Sequence, residues 1–391
     1  MFSHLAIFRQ HTASRATALL FGFFGILFGT WAALIPFIKT KFGLDEAQLG
    51  LLLLCLPAGI TLMNPFSVPI LHKLGAVRST VISLPLAATL FILPFAMPTI
   101  WLVGGSLFLA GSLFSIVNMS MNTCASQIEQ QEGLRIMSTC HGLWSTGAML
   151  GSAIAGMATG WGLPPVAYVA AIAVVEILAM LVFKSGLKSV PDEPHHGSQS
   201  DNGKPPSGFI LPNRALWVLV AISLCTNLTE GTMADWSAVY LREVVGAQEA
   251  MAGWGFAAYA FFMAGGRFLG DALIAHFGSR PVLRIGGIVA AAGLLVAVFL
   301  QAFPAAVLAG FAMVGAGVSL GAPILYAAAA KVPGMAKGAG LATMNTFAMI
   351  GFLGGPAFIG FLAKGFGLPV AFALVAAFAL FWAWRAGSME R

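Results

Sequence analysis

Charge is scarce in this sequence. Its 391 residues include 20 basic and 14 acidic side chains, 9% of the total, against roughly 25% in a water-soluble domain. So few charges cannot clothe a soluble globule of this size, and a soluble enzyme or binding module is excluded. Cysteine is also sparse. Cys55, Cys124, Cys140 and Cys225 all lie inside apolar runs and form no C-x-x-C pair, so they read as small packing residues rather than a disulfide, metal or redox set. There is no P-loop, no ATP-binding module and no metal-ligand cluster, and no cofactor is expected. One G-x-S-x-G match, Gly317 to Gly321, lies in the middle of an apolar run. It lacks the strand-to-helix turn and the acid and histidine partners that a nucleophile elbow needs. The N-terminus has no short apolar stretch followed by a small-residue cleavage site, so the first apolar run is expected to stay in the membrane.

Apolar residues are abundant: 59% of the chain, with a mean hydropathy of +0.89. They fall into twelve runs, each near the roughly 20 residues that span a bilayer. Connections such as Met97-Pro98 and Phe303-Pro304 are very short and force antiparallel hairpins. The stretch 185–213 differs, being dominated by Pro, Gly, Ser and charge and including His195-His196. It reads as a solvated linker. The expected organisation is an all-α membrane protein with a six-helix bundle over 1–184, a linker over 185–213 and a second six-helix bundle over 214–391.

The net charge of +6 matters through its distribution and does not point to nucleic acid. With the N-terminus inside, 16 of the 20 Lys and Arg fall on or toward the cytoplasmic side, and only Lys39, Lys41, Arg242 and Lys364 lie outside. This bias predicts cytoplasmic termini and linker in a bacterial inner membrane. The halves also echo each other. His72-Lys73-Leu74-Gly75 returns as Ala275-His276-Phe277-Gly278, 203 residues later, and Gly147, Gly151 and Gly156 return 204 later as Gly351, Gly355 and Gly360. Near-constant offsets imply an internal repeat, with a central site expected between the halves.

Several segments resemble the major facilitator superfamily, and within it the MosC-like branch near the fucose-permease-like sugar transporters. They are Trp31-Ala-Ala-Leu-Ile-Pro36, Asn118-Met-Ser-Met-Asn122 with Glu129, and Ser138 through Gly147. Glu230-Gly231 with Asp235 through Leu241, and Gly266-Arg267-Phe268-Leu269-Gly270-Asp271, extend the match. The loop His72 to Arg78 resembles a degraded copy of the superfamily's loop signature. The resemblance implies two pseudo-symmetric six-helix bundles and secondary transport. Asn118 stands where the branch usually has Asp, which removes one protonatable position.

Polar groups inside a membrane normally face a cavity or another helix. Asn118 and Asn122 share one helix face. In a hairpin centred near residue 132 they lie level with His141, Gly142, Ser145 and Thr146, so Asn118, Asn122, His141 and Ser145 are candidate solute contacts. Trp31, Tyr259, Tyr326 and Asn345 are further candidates for the wall. Glu230, roughly 24 Å along its helix, and His141 are candidate proton carriers. Arg267, Asp271 and Arg280 around the second loop copy, Glu129 and Arg135 flanking a turn across which they can pair, and Asp235 are candidate gating groups; Asp235 shares a face with Arg242, which reads as a structural ion pair or lip contact. The expected function is proton-coupled movement of a small sugar-, inositol- or amino-sugar-like solute by a monomer in the lipid bilayer. Export of amphipathic compounds is the alternative within transport. A membrane-embedded enzyme or a non-transporting sensor is the alternative outside it.

Overall fold

The computed structural model describes residues 11–190, 213–332 and 339–387. His195 and His196 lie outside it, as do the side chains of Asp271 and Asn345. The described residues form twelve long helical rods and no strand. They are α1 Thr12–Phe42, α2 Glu46–Leu74, α3 Ala76–Ala96, α4 Ile100–Glu132, α5 Met137–Gly160 and α6 Pro165–Leu187. The second half comprises α7 Arg214–Glu243, α8 Glu249–Phe277, α9 Ser279–Phe299, α10 Pro304–Ala329, α11 Ala339–Phe366 and α12 Leu368–Ala386. An even number of antiparallel rods puts the start of α1 and the end of α12 on one face, called here the terminal face.

Helix ends follow local chemistry. Asp45 caps α2 through the Gln48 N–H at 2.8 Å, and the Gln48 side chain returns a bond to Asp45 N–H. This reciprocal box satisfies two otherwise orphaned donors. Gly75 and Gly278 turn the α2–α3 and α8–α9 corners with nearly the same backbone, φ 82°, ψ 157° and φ 82°, ψ 156°. The repeat read from the sequence is thus a repeat of backbone conformation, at a left-handed φ that favours glycine.

Ten of the twelve rods are long and apolar enough to cross a membrane by length and composition. The exceptions are α5 and α8. They pack along each other at the centre of the molecule, where glycines and polar side chains are useful because neither helix presents all its faces to lipid. The α1–α5 contact inside the first half is close: a Cβ on Gly147 would approach Gly22 O to 1.9 Å, and one on Gly29 would approach Ala148 O to 1.9 Å.

The halves meet along two seams near the face opposite the termini. α2 meets α11 where Gly50 opposes Pro356 and Gly360, and α8 meets α5 where Gly253 opposes Gly156. These positions are related by the repeat: Gly50 and Gly253 are 203 apart, Gly156 and Gly360 are 204 apart. Ser152 Oγ also donates to Gly253 O at 2.6 Å across the second seam. Small residues let the backbones touch here, and the opposite face is closed.

Candidate functional site

Between the halves lies a cavity of about 680 Å³. It runs from Ser126 and Met137, near the terminal face, to Ala234, Phe256 and Phe352 at its deep end. α4 supplies Asn118 and Asn122 on successive turns of one face. Asn122 Nδ2 donates to Asn118 O at 2.8 Å and lies 3.2 Å from Asn118 Oδ1. This leaves amide capacity directed at the cavity. Asn64 on α2, Ser115 and Thr123 continue the polar wall.

Aromatic rings form about half of the remaining wall. Phe28 meets Trp144 at 5.4 Å and, across the half boundary, Phe256 at 6.0 Å edge-on. Phe24 meets Phe114 at 4.4 Å. Tyr259 is 1% exposed, lines the cavity, and has no hydrogen-bond partner for its hydroxyl among the described residues.

The electrostatic centre joins three helices. Arg267 on α8 donates through Nη1 to Ser145 Oγ on α5 at 2.7 Å, and its Nη2 lies 3.6 Å from Glu230 Oε1 on α7. Ser145 in turn donates to His141 O at 3.1 Å. Ser145 belongs to the first half and Arg267 and Glu230 to the second, so the guanidinium crosses the boundary. Glu230 lines the cavity with its charge balanced from behind. Glu230 is the single ionisable carboxylate on the described cavity wall.

Relative to the sequence expectations, the cavity gathers Asn118, Asn122, Ser145, Tyr259 and Glu230. His141 is not on its wall; its ring packs edge-on against Phe21 at 5.5 Å. Trp31 is displaced too. It is 3% exposed and packs edge-on against Phe91 and Phe95, both at 6.0 Å, because α3 covers that face of α1. Tyr326 is partly buried against the core rather than on the wall.

Arg267 is not at the α8–α9 corner with Arg280. It lies ten residues before the helix end, roughly 15 Å deeper, while Arg280 is exposed at that corner. Glu129 does not pair with Arg135. Its Oε1 accepts from Ile136 N and Met137 N at 2.7 and 2.9 Å, capping the start of α5, where free N–H groups attract a carboxylate. Arg242 turns away from Asp235 to Ala247 O at 3.0 Å and Glu249 at 3.3 Å. Asn64 was missed, although a lone amide in the apolar run of α2 carries the same signal as Asn118.

The fold agrees with the comparisons to known proteins. The sequence profile of the Major Facilitator Superfamily matches residues 17–250 and 231–388. The chain belongs to the major facilitator superfamily. It is 34% identical over 365 residues to an uncharacterised MFS-type transporter of Yersinia pestis, covering 92% of this chain and 91% of the relative. It is 31% identical over 354 residues to the membrane protein MosC of Rhizobium meliloti, covering 90% and 84%. Among solved structures, the D-xylose–proton symporter superposes with a TM-score of 0.74 at 14% identity, covering 97% of this chain and 98% of that one. This last likeness concerns fold alone. The protein is therefore a multi-pass membrane transporter of the superfamily, and α5 and α8 count among its twelve membrane helices despite their polarity.

Proposed function

We propose that the protein moves a small polar organic solute, of the sugar, inositol or amino-sugar kind, across a bacterial inner membrane by alternating access, coupled to protons. The observation that carries this reading is the cavity between the halves, with an amide ladder on α4 facing a charge-balanced carboxylate on α7. Amides donate and accept, which suits hydroxyls and amines. Aromatic faces suit the apolar face of a ring. The distribution of Lys and Arg supports placing the terminal face in the cytoplasm, and the cavity is then in its inward-open form.

Glu230 is the proton site in this reading. Protonation removes its charge and releases Arg267 from the pair that joins α7 to α8. The relationship to relatives named as transporters, and the fold shared with a xylose–proton symporter, are compatible with it. The number of aromatic side chains on the wall also favours a second reading, export of an amphipathic compound.

The test is counterflow and pH-gradient-driven uptake in proteoliposomes, screened with sugars, inositols, amino sugars, organic acids and an amphipathic cation. Glu230→Gln should abolish driven uptake while sparing counterflow. Driven uptake equal to wild type rejects the proton role, and counterflow confined to the amphipathic cation rejects the polar-solute reading.

A further inference from the structure

Among the described residues, the face opposite the termini holds four cations: Lys39, Lys41, Arg242 and Lys364. Lys41 donates to the carbonyls of Phe95 and Met97 at 2.8 and 2.9 Å. Arg242 pairs with Glu249 inside the second half. Lys364 of α11 pairs with Asp45 at 2.9 Å, across the half boundary. Lys39 differs from all of these. It is 7% exposed, and its ammonium contacts two carboxylates at once, Glu46 of its own half at 2.9 Å and Glu243 of the other half at 2.6 Å.

Lys39 and Glu243 are 204 residues apart, the spacing of the internal repeat. They occupy equivalent last turns of α1 and α7 and meet near the local two-fold axis, with opposite charge at matching positions. Any opening of this face pulls the end of α1 from the end of α7 and breaks that contact. Glu46 follows Lys39, because it opens α2 in the same half. The ammonium thereby keeps one counter-charge when the face opens.

We propose that Lys39 is a shared gating cation: Glu243 holds the outer face closed, and Glu46 retains the lysine when that face opens. The two carboxylates act in opposite directions. Neutralising Glu243 removes the closing contact alone and favours opening. Neutralising Glu46 leaves Lys39 with a partner in the closed form and none in the open form, and so disfavours opening. A network that merely stabilises the fold would make both substitutions act alike.

The experiment uses the full chain with its four cysteines replaced by serine and Ala234→Cys placed at the deep end of the cavity. Vesicles of one orientation are selected by access to a tag at Met1, so that a membrane-impermeant thiol reagent meets only the opposite face. The reaction rate then follows the population open to that face. Glu243→Gln should raise the rate roughly tenfold and Glu46→Gln should lower it by a similar factor, as differential stabilisation of one state predicts. Arg242→Gln, whose ion pair stays within one half, should leave it unchanged.

Shifts of the same sign for Glu46→Gln and Glu243→Gln, no shift in either, or an equal shift in Arg242→Gln overturn the proposal. Because the rate is read without solute, the transport reading is tested separately. Rates that move as stated while no solute is taken up leave the gate standing and remove the proposed function. Intact uptake with unmoved rates does the reverse.

Discussion

Neutralising Glu230 should cost more stability than a half-open carboxylate suggests, because it strands Arg267. The arginine side chain is 15% exposed and the glutamate 30%. Ser145 supplies one good hydrogen bond but no charge. At 3.6 Å and an effective dielectric of about 20, the attraction amounts to about 4.6 kcal/mol. Desolvation offsets part of it, and removing one member of a buried pair typically costs about 3–5 kcal/mol. The exposure of Glu230 places this pair at the lower end, about 3 kcal/mol for Glu230→Gln and a similar value for Arg267→Gln. Both substitutions preserve length, so the double variant removes the charges without opening a large void. If the pair is mutual, the double variant should cost about as much as either single one, a coupling of about 2–3 kcal/mol. Reversible unfolding in mixed micelles of lipid and sodium dodecyl sulfate, followed by tryptophan fluorescence, measures all four corners of the cycle. Costs that add to within about 0.5 kcal/mol would refute the coupling.

Four further outcomes are expected. Asn118→Ala with Asn122→Ala should weaken binding of a transported solute roughly 5- to 30-fold, the loss of one to two hydrogen bonds, as read by titration calorimetry. Trp31→Ala should lower stability by about 3–5 kcal/mol in the same micelle assay and leave solute affinity unchanged, because its ring packs on α3. Gly147→Val should force α1 from α5 and lower stability by at least about 1–3 kcal/mol; an unaltered unfolding curve contradicts the close approach to Gly22. Asp45, in the connection before α2, is held below its usual 3.8, first by the Gln48 backbone N–H and then by Lys364. A depressed folded pKa means that its contribution is complete above the unfolded value and is lost only as pH falls through the lower folded value. The carboxyl carbon shift of labelled Asp45 should therefore titrate below 3.8, and a midpoint at or above that value contradicts it.

Much of the architecture was legible in the chain. Long apolar runs force helices, since lipid offers the backbone no partners, and the short connections between runs force antiparallel hairpins. The offset glycines announced the repeat, and the structure shows why they are glycines: Gly156 and Gly360 sit at matching seams where a side chain would collide with the other half. The amides of α4 were legible too, because an amide in lipid is costly and two at i and i+4 share a face.

What sequence could not decide was partner choice between helices. Arg267 follows Glu230 by 37 positions, and the loop motif around it suggested a corner latch; only packing of α7, α8 and α5 brings the guanidinium to Ser145 and Glu230. Trp31 could have faced cavity or core, and α3 decided for the core. Lys39 read as one of a few stray outer cations until α1, α2 and α7 were assembled around it. Composition and periodicity are set by the solvent each residue meets, so they survive in one dimension. Ion pairs and cavity walls are set by distances between helices, which the order of residues does not contain.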